Sequence, residues 1–168
     1  LVKAHPEFAC GWCVLGGLQL AENMPATALT ALKKSSDLDP NYAPSWNSLG
    51  LAYTKLQQLD QATDCFARAI KLEPGNAEVL NNLGYTYFLM GKTDEAIEQY
   101  KLSLQSDPKS ERPLVNLVSA YARKSQWALA RQTCDALARI NPEIAAQLSQ
   151  SFPAADRTSG AGSAAKPQ

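Results

Sequence analysis

The chain has 168 residues, 45% of them hydrophobic, enough for one ordinary domain or for a short array of stacked units. Sixteen Lys and Arg balance sixteen Asp and Glu, so no net field draws the chain to nucleic acid or to an anionic membrane. No apolar run reaches the roughly 20 residues of a membrane span, and a single histidine, His5, leaves a histidine-based nucleophilic or zinc site dependent on a residue at the very start of the chain.

The chain begins at Leu1 with nothing that resembles a signal peptide. A fragment or processed form is therefore expected, in a cytoplasmic setting unless a signal has been removed. Residues 1–8 read as the tail of a repeating unit, ending at His5-Pro6. Four full units are expected to follow, over 9–42, 43–76, 77–110 and 111–144. Their first helices fall near 8–22, 43–56, 77–90 and 111–124, and their second helices near 25–37, 59–71, 93–105 and 127–139. A last helix over 142–152 is expected to start with Asn141 as N-cap and Pro142 in its first turn. Ile144, Leu148 and Phe152 recur along it every four residues, as they would in a cap over the final hairpin. Residues 153–168 are mostly Pro, Ala, Gly and Ser and are expected to be disordered.

The units are defined by columns that keep a 34-residue period. Pro6, Pro40, Pro74, Pro108 and Pro142 form one, and Ala28, Ala62, Ala96 and Ala130 another. Leu15, Leu49, Leu83 and Leu117 form a third, followed directly by Gly16, Gly50, Gly84 and Val118. Tyr53, Tyr87 and Tyr121 recur with Gln19 in the first unit, and Trp12, Trp46, Leu80 and Leu114 share a further column. In a helix, Trp46, Leu49, Gly50 and Tyr53 lie at i, i+3, i+4 and i+7 and so form one stripe. Glycine and alanine in two of these columns let two helices approach closely, and each proline stops the second helix.

This pattern over residues 9–144 resembles the tetratricopeptide repeat. The resemblance implies an all-α fold, a right-handed superhelical solenoid of antiparallel helix hairpins closed by a C-terminal capping helix. It also implies a scaffold or adaptor without catalytic activity or cofactor, whose partner is a protein or peptide bound in the concave groove. Neither nucleic acid nor membrane insertion enters this reading, whereas self-association through the end repeats is carried as a second kind of partner. The rival reading makes the repeats the interaction arm of a larger enzyme, such as a glycosyltransferase.

The groove is expected along first-helix positions opposite the core stripe, Cys13, Leu20 and Thr54 among them. Candidate binding residues there are Asn47, Leu51, Lys55, Asn81, Asn82, Tyr85, Phe88, Arg112, Asn116 and Arg123. Leu51, Tyr85 and Phe88 are large apolar groups off the core stripe. Asparagine is a middling helix former, so Asn47, Asn81, Asn82 and Asn116 in mid-helix ask for a reason. An amide that both donates and accepts suits an extended peptide backbone. The set resembles the asparagine ladder of O-linked GlcNAc transferases, with Val14 and Ser48 breaking the column of Asn82 and Asn116. The two-carboxylate clamp of chaperone-binding relatives is matched only at Asn82, with Arg112 a conservative replacement, since the corresponding positions hold Asn47, Leu51, Asn82, Arg112 and Asn116. Cys10-Gly-Trp-Cys13 has the spacing of a redox motif, but no strand precedes it and Trp12 occupies a core column. Both thiols are therefore expected to titrate near the ordinary value of about 8.5.

Overall fold

The computed structural model describes residues 8–153, and among these every regular element is a helix. In chain order they are α1 (Ala9–Ala21), α2 (Pro25–Leu38), α3 (Ala43–Lys55), α4 (Leu59–Leu72), α5 (Ala77–Leu89), α6 (Thr93–Ser106), α7 (Glu111–Arg123), α8 (Trp127–Ala138) and α9 (Pro142–Gln150). The first eight lie within one or two residues of the expected spans. The chain divides into two compact units, the first running to Pro108 and the second starting at Lys109. His5 and the expected disordered tail beyond Pro153 lie outside the described residues.

In the first unit three hairpins, α1–α2, α3–α4 and α5–α6, stack in sequence. Each is clamped by the glycine column. A Cβ on Gly50 would stand 2.5 Å from Phe66 Cε1, and one on Gly84 2.7 Å from Tyr100 Cε1. Glycine thus lets an aromatic ring of the second helix lie directly on the first. Phe66 and Tyr100 are buried to 0% and 1% exposure, with Ala62 and Ala96 at 0% beside them. Buried hydroxyls join the stack as well: Ser35 meets Ser45 at 2.6 Å, and Thr54 meets Thr86 at 3.0 Å.

The turns between the paired helices have a register of their own. Asn23, Gln57, Gly91 and Ser125, each 34 residues apart, all adopt positive φ, at 58°, 60°, 79° and 56°. Closing each hairpin requires one left-handed residue at that point, and only one of the four is glycine.

One column breaks the internal symmetry. Ala52 and Thr86 are 0% exposed, whereas Leu18, their counterpart in the first hairpin, is 59% exposed. The helix that carries Leu18, α1, bears no charged side chain.

The second unit packs α7, α8 and α9. Here Val118 stands where the other hairpins have glycine, and Cys134 stands where they have Leu32, Phe66 and Tyr100. Both are buried, so a larger residue on the first helix is matched by a smaller one on the second. Asn141 caps α9 by accepting from the Ile144 amide at 3.1 Å, and its own amide donates to Glu111 Oε2 at 3.0 Å. Phe152, 2% exposed, packs its ring 6.1 Å from that of Trp127. The Cys134 thiol donates to the Ala145 carbonyl at 3.1 Å.

Candidate functional site: the first-helix face

Within the first unit, α1 touches α3 and α3 touches α5, while no comparable contact joins α2 to α4 or α4 to α6. The first helices therefore form the inner, tighter face of the stack. A polar rung crosses each step of that face. Asn82 Nδ2 donates to Asn47 Oδ1 at 3.1 Å, and one hairpin earlier Cys13 Sγ meets Ser48 Oγ at 3.8 Å. Both rungs link residues 35 apart, because adjacent first helices sit side by side almost in register.

The asparagine rung uses only part of its capacity. A primary amide offers two donors and a carbonyl with two lone pairs. After one mutual bond, the pair still presents Asn47 N–H donors and the Asn82 carbonyl. In either amide orientation the two residues together offer one donor and one acceptor side by side. Both are half-buried, so a bond from a ligand would be partly screened from water.

On α5 the residues at i, i+3 and i+6 from this rung are Asn82, Tyr85 and Phe88. Tyr85 is 44% exposed and Phe88 is half-buried. Leu51 is also half-buried but packs against the core clusters on both sides of it, so it belongs more to the stack than to its surface. Lys55 is exposed at the end of α3, with its ammonium 3.4 Å from Asn23 Oδ1.

Several residues expected to line the groove are not accessible. Asn81 is 7% exposed, Thr54 7%, Cys13 8% and Leu20 9%. For Thr54 and Cys13 the reason is visible: neighbouring first helices close over them, through Thr86 and Ser48 respectively. In the second unit α7 carries Arg112 and Arg123 exposed and Asn116 half-buried.

Cys10 is exposed and Cys13 buried, and both are free thiols. Burial pushes the Cys13 thiol up, against the smaller opposing effect of its hydrogen bonds to Ser48 and Ser45. The expectation of an ordinary value fails for Cys13, whose burial favours the protonated thiol.

Residues 31–64 and 77–110 match models described as tetratricopeptide repeat, and residues 50–91 match one described as TPR repeat. This is a tetratricopeptide-repeat chain. No curated protein matches it as a relative. Among solved structures, two crystal structures of MamA are similar. One has 28% identity and a TM-score of 0.74, covering 86% of this chain and 79% of that one. The other has 27% identity and a TM-score of 0.70, covering 89% and 82%. TTC0263, a thermophilic TPR protein of Thermus thermophilus, has 20% identity and a TM-score of 0.79, covering 89% and 84%, and is similar in fold. Tetratricopeptide arrays serve in general as non-catalytic scaffolds for protein–protein interaction, and the fold supports that general role here. Among the described residues, no helix is long and apolar enough to cross a membrane.

Proposed function

We propose that the tetratricopeptide array of the first unit binds an extended peptide segment of a partner protein along the face of α3 and α5. The observation that carries this reading is the asparagine rung Asn47–Asn82, which retains a spare donor and a spare acceptor one helical turn from the exposed Tyr85 ring. An extended backbone supplies the complementary pair of groups. Each net hydrogen bond contributes only about 0.5–1.5 kcal/mol, so the apolar surface of Tyr85 and Phe88 must supply most of the affinity. Exposed aromatic residues beside spare polar groups are the usual anchors of such interfaces. Lys55 at the end of α3 would favour an acidic side chain on that segment.

Photocrosslinking tests the placement. A photoreactive phenylalanine analogue at position 85 should capture the partner, and the same analogue at position 34, on α2, should not. Equal capture at both positions, or capture at position 34 alone, would remove the first-helix face as the binding surface.

A further inference from the structure

On the second-helix side of the first unit, the turn after α2 and the flank of α4 border an open cleft of about 490 Å³. Pro40 and Asn41 form one wall, and Ala67, Arg68, Lys71 and Leu72 of α4 form the other. Its volume falls within the range of small-ligand and peptide side-chain pockets. The cleft is rigidly framed. The Trp46 indole N–H donates to the Pro40 carbonyl at 2.9 Å, and the Arg68 guanidinium lies 4.5 Å over the centre of the Trp46 ring. Turn, indole and guanidinium therefore hold one another in place, and Lys71 shares the face of α4 one turn further on.

Neither cation has a carboxylate within ion-pair distance among the described residues. The acids nearest in sequence to the cleft walls are engaged in their own turns. Asp39 Oδ1 accepts the Asn41 backbone N–H at 2.9 Å, and Glu73 Oε2 accepts from Asn76 Nδ2 at 2.9 Å. The repeat register supplies an internal control. At the positions of Arg68 and Lys71 the other hairpins hold Lys34 and Asp37, Leu102 and Gln105, and Ala136 and Arg139. Hairpin packing does not require two cations there, and only this hairpin combines them.

We infer that this cleft is a second docking site, separate from the first-helix face, for an acidic peptide segment of a protein partner. Aspartate or glutamate carboxylates pair with Arg68 and Lys71, and an aliphatic side chain of the same segment rests on Pro40, Ala67 and Leu72. Charge complementarity selects the ligand class. A guanidinium already stacked on Trp46 also loses little freedom when a carboxylate arrives, so its planar edge can donate to both carboxylate oxygens.

The test uses the full chain and a synthetic probe, acetyl-Glu-Leu-Asp-Glu-Leu-Asp-amide, in isothermal titration calorimetry. One-to-one binding is expected, weakening as salt is raised. Arg68→Gln and Lys71→Gln should each weaken it about three- to tenfold, the range expected for losing one net bond at a solvent-exposed position. Lys34→Gln, at the same repeat position as Arg68 but outside the cleft, should leave it unchanged. Arg68 and Lys71 are both exposed, so circular dichroism of the two variants should match that of the parent chain. Absence of binding, equal binding by the cleft variants, or an equal loss in Lys34→Gln would overturn the proposal. Complete displacement of the peptide by an equal concentration of inorganic phosphate would overturn it too, by marking a site for small anions.

Discussion

Gly50 and Phe66 occupy one shared volume: a methyl group on Gly50 would sit 2.5 Å from Phe66 Cε1, well inside contact distance. Helix propensity alone favours Gly50→Ala by about 1 kcal/mol. The ring has no room to retreat, because Phe66 is 0% exposed. Overpacking of this kind costs about 1–3 kcal/mol. Gly50→Ala is therefore expected to lower the denaturation midpoint. Gly17→Ala, with nothing within 4 Å of the added carbon, should raise it. Urea titrations of the two variants decide between packing and propensity, and a rise for both would place propensity first.

The hairpin turns give an independent prediction. A non-glycine residue in the left-handed region costs about 1–2 kcal/mol, and Gln57 bears this in full because it lacks the short polar side chain that helps Asn23. Gln57→Gly is expected to stabilise the chain and Gly91→Ala to destabilise it. Both effects should be about 1 kcal/mol in size, less the entropy that glycine adds to the unfolded state. Thermal denaturation of the pair checks the signs.

Gln19 stands in the column of Tyr53, Tyr87 and Tyr121, and its Oε1 is buried without a hydrogen-bond partner. Leaving such an atom unsatisfied costs about 1–3 kcal/mol. Gln19→Tyr, which restores the residue the other hairpins use, should raise the melting temperature. A fall would mean that the first hairpin has closed around the smaller side chain.

Burial raises the Cys65 thiol well above its ordinary value, to about 11. Above about pH 9 the unfolded chain releases this proton while the folded chain retains it until about pH 11. Stability contributed by the protonated thiol is therefore present below about pH 9 and lost progressively up to about pH 11. Burial pushes Cys13, Cys134 and Tyr100 in the same direction. Urea midpoints should fall over this window, and Cys65→Ala should flatten part of the fall. A curve of unchanged slope in that variant would contradict the assignment to Cys65.

The hairpins were legible in the sequence because their columns are made of side-chain identity: Gly50 beneath Phe66 and Gly84 beneath Tyr100 recur in step. The left-handed turn column was not legible, since Asn23, Gln57, Gly91 and Ser125 share a backbone angle and no side-chain chemistry. Val118 departs from the glycine column and Cys134 from that of Leu32, Phe66 and Tyr100, and only their places in the hairpin make them one exchange of volume. On the first-helix face, the mid-helix asparagines stood out by composition. Which first-helix positions are accessible depends on how closely adjacent first helices approach, and that spacing covers Thr54 and Cys13. The cleft beside Trp46 was hidden for a related reason, because its walls come from two successive repeats.

Calorimetry with the partner captured at position 85 tests the first-helix face most directly. Tyr85→Ala removes the most exposed aromatic anchor on α5, and Asn82→Ala removes one side of the rung without touching the core stripe. Tyr85→Ala is expected to weaken binding by about 2 kcal/mol or more, as the loss of an aromatic anchor does. Asn82→Ala should cost about 1 kcal/mol, and Lys34→Ala on α2 nothing measurable. Normal binding by both the Tyr85 and Asn82 variants, with loss in Lys34→Ala, would place the partner on the second helices instead.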